Sequence, residues 1–423
     1  MNRMLLTLRN LFFVALLVLL TSEPAYADAY ADARAEAIAA YQAEDFAAME
    51  AAVEKSLLAR PGYHGALFNL ALARALTENY EGALEVFNGL VASGVDYQIT
   101  EMDEFAPLQE LAGWDDYAAA AKKLREPVGE ASIAYQFPVN DYVPEGIALF
   151  GTDLLLGSIR YGNIERIGND PASLVAPEDS GNWSVFGMRI GPDGGLWYAT
   201  ASVPEFAGFN EVNGGLTGLF RYDFHKREVT VRAVLPKGDS GMVLGDLVFA
   251  DDDTIYATES LTGALYHYSL SQDEFTQVVA PGQLRSMQGL VLDKSGEYLY
   301  VADYVGGLFR IRLSDYAVER VTADDSVNLY GIDGLYRRGD ELIAIQNGIQ
   351  PHRVAAFTLS DDGASVTGMR VLARNLPEFD EPTLGIVAGD EFLFVANSHW
   401  NRFDRSGGLP EGLTGPIILR LQL

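Results

Sequence analysis

Three polar residues each stand one place ahead of a glycine at the head of an apolar run: Glu145 before Gly146-Ile147, Gln288 before Gly289-Leu290 and Asp333 before Gly334-Leu335. Gathered round one axis, two carboxylates and an amide oxygen make an all-oxygen donor set. Such a set suits a hard divalent cation, Ca²⁺ foremost. The corresponding places in the other runs hold Phe186 and Leu384, and the third run offers Gly245 or Asp246. Around this set lie residues able to serve it. Asp333 is a candidate both for ligand and for base. His352 and His399 are candidates for alternative bases, and Arg160 and Arg402 for holding an anionic group. Phe186, Tyr304, Trp400 and Phe403 are candidates for the rim of a substrate site. The chain has no G-x-S-x-G, no H-E-x-x-H and no phosphate-binding glycine loop, so nucleophile and nucleotide chemistries of those kinds are not indicated.

Such residues converge only if their runs repeat round a centre, and the sequence repeats. Six strand-opening signals, at Gly146, Gly187, Asp246, Gly289, Gly334 and Gly385, are separated by 41, 59, 43, 45 and 51 residues. That is the length of a propeller blade. Each opening is followed by a turn and a second strand; the fullest example is Met287 to Leu313, where Leu308-Phe309-Arg310-Ile311-Arg312-Leu313 alternates apolar and charged residues as a half-buried strand does. After Ile417 to Leu421 the chain stops, so the sixth blade has three strands. The unassigned run Ala131 to Phe137 supplies its outermost strand and leaves no raw edge. Residues 131–423 are therefore expected to form an all-β six-bladed propeller, with an open β-sandwich assembly as the other possibility. In a propeller the loops into first strands and those joining second to third strands share one face. Two of the latter, Ser202 to Leu216 and His399 to Gly415, are long, which puts a binding site on that face.

Residues 28–126 have a different character. Alanine, leucine and glutamate dominate and strand signals vanish. Helices are expected over Ala33–Tyr41, Phe46–Arg60, Ala66–Leu76, Glu81–Ala92 and Trp114–Leu124. Paired helices joined by a short Asn79-Tyr80 turn resemble tetratricopeptide repeats, with Ala83, Phe87 and Leu90, and in the earlier pair Ala47, Ala51 and Pro61, in matching places. That resemblance implies an all-α helical-repeat module able to bind a protein partner or to pack on the propeller.

Composition bounds the rest. The net charge of −29 over 423 residues repels phosphates and excludes nucleic acid as a partner. There is no cysteine, hence no disulfide and no zinc–thiolate site. Arg3 and Arg9 precede the apolar run Leu11–Leu20, and Ala25-Tyr26-Ala27 fits a cleavage site. Residues 1–27 are expected to be a signal peptide and the mature chain to be periplasmic or secreted. No second apolar run is long enough to span a membrane.

The motifs Pro144-Glu145-Gly146, Gln288-Gly289-Leu290 and Ile332-Asp333-Gly334-Leu335 resemble those of the senescence-marker-protein/gluconolactonase family, over about Phe137 to Asn397. The resemblance implies a metal-dependent lactone or ester hydrolase, with Glu145, Gln288 and Asp333 as the metal ligands. Gln288 stands where the family has Asn, one methylene shorter. The competing reading is a non-catalytic propeller that binds a small ligand or a protein.

Overall fold

The computed structural model describes residues 29–168, 170–238, 241–403 and 408–423. The expected signal peptide lies outside the described residues. Among those described, no helix is long and apolar enough to cross a membrane.

The helical module comprises α1 (Ala29–Gln42), α2 (Phe46–Ala59), α3 (His64–Leu76), α4 (Tyr80–Ala92) and α5 (Trp114–Leu124), with a 3₁₀ segment at Asp103–Glu110 between the last two. Asp45 and Asn79 start α2 and α4 by accepting the amides of Ala48 and Gly82 at 3.0 and 3.1 Å, which satisfies otherwise orphaned N–H groups. Ala83, Phe87 and Leu90 are buried as the sequence pattern requires. In α2 the buried face is instead Met49, Ala52, Val53 and Ser56, while Ala47 and Ala51 are exposed.

Six sheets follow, five of them built from four consecutive antiparallel strands or that plan with one addition. The innermost strands are β2 (Pro144–Phe150), β6 (Ser184–Ile190), β10 (Leu244–Phe249), β14 (Met287–Leu292), β19 (Ile332–Arg338) and β23 (Gly385–Ala388). Each packs against the next, and β23 returns to β2, so the ring closes. In the sixth sheet β23 pairs with β24 (Glu391–Val395), β24 with β25 (Ile417–Gln422), and β25 antiparallel with β1 (Ala131–Gln136), the outermost strand. Both ends of the propeller thus meet in one blade. The fifth blade carries an extra short strand, Thr322–Ala323, laid parallel to its outer strand.

The helical module shares packing with the propeller. Ile349, from a loop of the fifth blade, is buried within the helical core. Arg353, fully buried, donates to Gln346 Oε1 at 2.6 Å and to the Ser93 carbonyl at 3.3 Å across the boundary. The Tyr330 hydroxyl donates to the Pro61 carbonyl at 2.6 Å, and the Asp96 amide to that of Gln350 at 2.8 Å.

Candidate functional site

The local fold of the innermost strands decides which side chains reach the axis. In five of them the pairing register slips at their start, between Pro144 and Ile147, Val185 and Met188, Leu244 and Leu247, Met287 and Leu290, and Ile332 and Leu335. A bulge of this kind takes one residue out of the ladder and re-aims it. The displaced residues include Glu145, Phe186, Asp246, Gln288 and Asp333. The glycines beside them answer to crowding between blades: a Cβ on Gly146 would lie 2.1 Å from the Phe186 carbonyl oxygen, and one on Gly289 would lie 2.4 Å from the Leu335 nitrogen.

Acids that end second strands brace the same region. Glu259 accepts the amides of Val243, Leu261 and Thr262 at 2.8–3.0 Å. Asp303 accepts those of Arg285 and Gly306 at 2.6 and 2.8 Å. Each ties the chain entering its own blade, and so fixes where the axial residue emerges.

Glu145 is buried, and Trp400 Nε1–H donates to its Oε2 at 2.8 Å. Burial, then the nearby Asp333 carboxylate, holds the Glu145 carboxyl well above the usual range, against the opposing Trp400 bond. The Thr383 hydroxyl also lies near enough to favour the Glu145 carboxylate, although it makes no well-formed hydrogen bond. Asp333 remains half-buried, and Asn347 Nδ2 donates to its Oδ2 at 2.7 Å. Burial lifts the Asp333 carboxyl to about 7; Asn347 opposes the rise and Asp246 adds to it. Asp246 is itself buried against Arg189 at 2.9 Å, and burial outweighs that partner to leave its carboxyl raised. Glu381 belongs to the same field: burial, with Asp333 and Asp380 nearby, brings it to about 7.

A cavity of about 400 Å³ opens beside this cluster, between the propeller face and the helical module. Tyr304, Asn347, His352 and Glu381 form much of its propeller wall.

The sequence-predicted residues divide in two. Glu145, Trp400 and Phe186 meet: the indole that binds Glu145 has its ring centroid 6.3 Å from that of Phe186. Gln288 is turned so that its Nε2 donates to Ser286 Oγ at 3.0 Å. Tyr304 and His352 line the cavity, with His352 Nε2 2.7 Å from the Gln350 amide nitrogen. Three others serve the loops. His399, a candidate base, is buried, its Nδ1 3.0 Å from Asp380 Oδ2 and its Nε2 3.1 Å from the Thr414 carbonyl. Both nitrogens are engaged in holding the long sixth-blade loop. Arg402 pairs with Asp380 and donates to the Gly412 carbonyl at 3.2 Å. Arg160 donates to the Glu205 carbonyl at 3.0 Å and pins the long second-blade loop. The two arginines expected to hold an anion are thus committed to backbone and acid.

Three residues of the site were absent from the sequence expectation. Asn347 follows the second strand of the fifth blade and carries no motif signal. Glu381 stands just ahead of the sixth opening, in Glu381-Pro382-Thr383-Leu384-Gly385, a spacing that offers an acid near the axis. Arg189 lies on β6, and its role appears only through Asp246.

The donor chemistry fits a hard cation. Among the described residues no group of three or more histidines and acids converges to hold a metal, so a cation here rests on two carboxylates completed by neutral oxygens. Those oxygens exist. Asn347 spends both amide protons, on Asp333 and on the Pro382 carbonyl at 3.0 Å. Its Oδ1 is buried with no partner, as is the Thr383 hydroxyl oxygen. Orphaned buried acceptors beside raised carboxyls are what a cation would satisfy.

No family model matches the chain, and no curated protein matches it in sequence. Solved structures do resemble it. A putative gluconolactonase is 11% identical over 70% of this chain and 92% of its own, with a TM-score of 0.46. A calcium-binding regucalcin from Agrobacterium tumefaciens is 15% identical over 69% and 93%, TM-score 0.49. Virginiamycin B lyase from Staphylococcus aureus is 14% identical over 70% and 100%, TM-score 0.44. At these identities and TM-scores none of them assigns chemistry to this chain.

Proposed function

We propose that the protein hydrolyses a small lactone or ester at the axial site, with a divalent cation as its resident cofactor. The observation that carries this reading is the cluster of Glu145, Asp333 and Glu381, whose carboxyls burial raises and where the charge of Asp333 adds to the rise of the other two, beside a cavity of small-molecule size. A cation held by Glu145, Asp333 and the amide oxygens of Gln288 and Asn347 would polarise the carbonyl and balance the charge that develops on it.

The chain's own residues divide the remaining work. Asp333, oriented by Asn347, takes a proton from the attacking water. The water oxygen bonds to the acyl carbon and the acyl C–O bond breaks. The departing alkoxide oxygen takes a proton from Glu381, whose carboxyl burial raises to about 7. Proton exchange with solvent then resets the two carboxyls. Trp400 holds Glu145 in place through the bond from its indole N–H.

Binding without turnover is the second reading, and one feature favours it: Glu145 and Asp333 each commit an oxygen to a fixed N–H donor. The two readings separate on the full mature chain. Calorimetric titration with Ca²⁺, Mn²⁺ and Zn²⁺ is paired with turnover assays on lactone and aryl-ester panels, with and without chelator. Turnover that needs metal and disappears in Asp333→Asn is expected. Metal binding with no turnover selects the second reading, and turnover indifferent to chelator and to Asp333→Asn overturns the first.

A further inference from the structure

We propose that the helical module completes the ligand site, with His64 and Tyr97 forming the wall opposite Glu381. This rests on the hydrolytic reading above and names the roof of that same site.

The cavity is bounded from both sides. His64, at the start of α3, and Tyr97 and Gln98, beyond α4, face the propeller wall of Asn347, Glu381 and His352. The roof is held rigidly. His64 Nδ1 lies 2.7 Å from the Tyr97 hydroxyl, and the Tyr97 ring packs on Phe68 at 4.5 Å. The residue before Tyr97 is clamped twice: the Asp96 amide donates to the Gln350 carbonyl at 2.8 Å, and Asp96 Oδ1 accepts the Gln98 amide at 2.9 Å. Burial, with Arg353 nearby, lowers His64 to about 4, so the imidazole is neutral at physiological pH. Its Nε2 makes no protein hydrogen bond among the described residues and is the atom left for a ligand.

The test follows the imidazole ¹H–¹⁵N signals of the full mature chain, where His64 reports the helical wall and His352 the propeller wall. The probe is γ-butyrolactone, which is expected to shift both signals saturably. Tyr97→Phe keeps the ring on Phe68 and removes the hydroxyl, and is expected to raise KM about tenfold with kcat within about twofold, as for loss of one polar contact made equally in ground and transition states. If the lactone moves His352 alone and Tyr97→Phe leaves KM unchanged, the roof is overturned while the hydrolytic reading stands. If neither signal moves and no ester or lactone turns over, both readings fall together.

Discussion

Asp333 is the residue on which the proposed hydrolysis turns. It is half-buried, as Glu381 is, and Asn347 donates to its Oδ2. Asp333→Asn keeps the shape and removes the base, so turnover is expected to fall about 10²–10⁴-fold, the range of a general base; initial rates on the best ester of the panel measure it. Trp400 acts on Glu145 instead. Trp400→Phe leaves a buried carboxyl without its donor and is expected to lower stability by about 1–3 kcal/mol, with weaker cation binding, as denaturant melts and calorimetry would register. His399 shows how position along the chain misleads. It follows a second strand on the site face, yet its two nitrogens tie Asp380 to Thr414 across the loop. A ring with both nitrogens so occupied is a positioning group for the loop.

The first strand of each blade is the element that builds the site. In five of the six a bulge turns one residue to the axis, and in four of those the following glycine lets the neighbouring blade approach. The two roles are separable by mutation. Gly289→Ala places a methyl 2.4 Å from the Leu335 nitrogen, and backbone cannot yield as a side chain can. Overpacking of this kind costs about 1–3 kcal/mol or more and is expected to disturb Asp333, so stability and activity fall together. Gly296→Ala, in a turn with φ +74° and open space around it, is expected to cost about 1 kcal/mol through backbone strain alone and to leave activity intact. Thermal melts alongside rates on the two variants distinguish the cases.

For the molecule as a whole, the acid cluster links stability to pH and to metal. Asp333 and Glu381 titrate near 7 when folded and near their ordinary values of about 3.9–4.3 when unfolded. Between those values the folded state binds more protons. Stability from this cluster is therefore expected to fall as pH rises from about 4 to 7 and to level off above. His64, lowered when folded, acts in the opposite sense: its contribution is lost as pH falls from about 6.5 towards 4. A cation bound by the carboxylates competes with protons, so the rise in Tm on adding Ca²⁺ over chelator is expected to be larger at pH 8 than at pH 5. An increment that does not grow with pH contradicts cation binding at these groups. The two modules are also expected to unfold as one. Arg353 and Ile349 tie them through buried contacts, and Arg353→Met is expected to split a single calorimetric transition into two.

The propeller, its six openings and its closure by residues 131–136 were legible in the sequence, because strand alternation and a blade-length period are local and repeated. So were the helices, whose apolar faces and caps lie within a few residues of one another. Glu145, Gln288 and Asp333 could be placed near one axis for the same reason, since equal positions in repeated units converge. What the tertiary structure alone decided is everything that depends on contacts between non-equivalent parts. The indole of Trp400 reaches Glu145 across 255 residues of sequence. Asn347 and Glu381 enter the site through irregular loops that no period predicts. Arg160, Arg402 and His399 hold loop backbone and acid, and the helical module lies over the site face. Repetition specifies where equivalent side chains meet; only packing specifies what else comes to meet them.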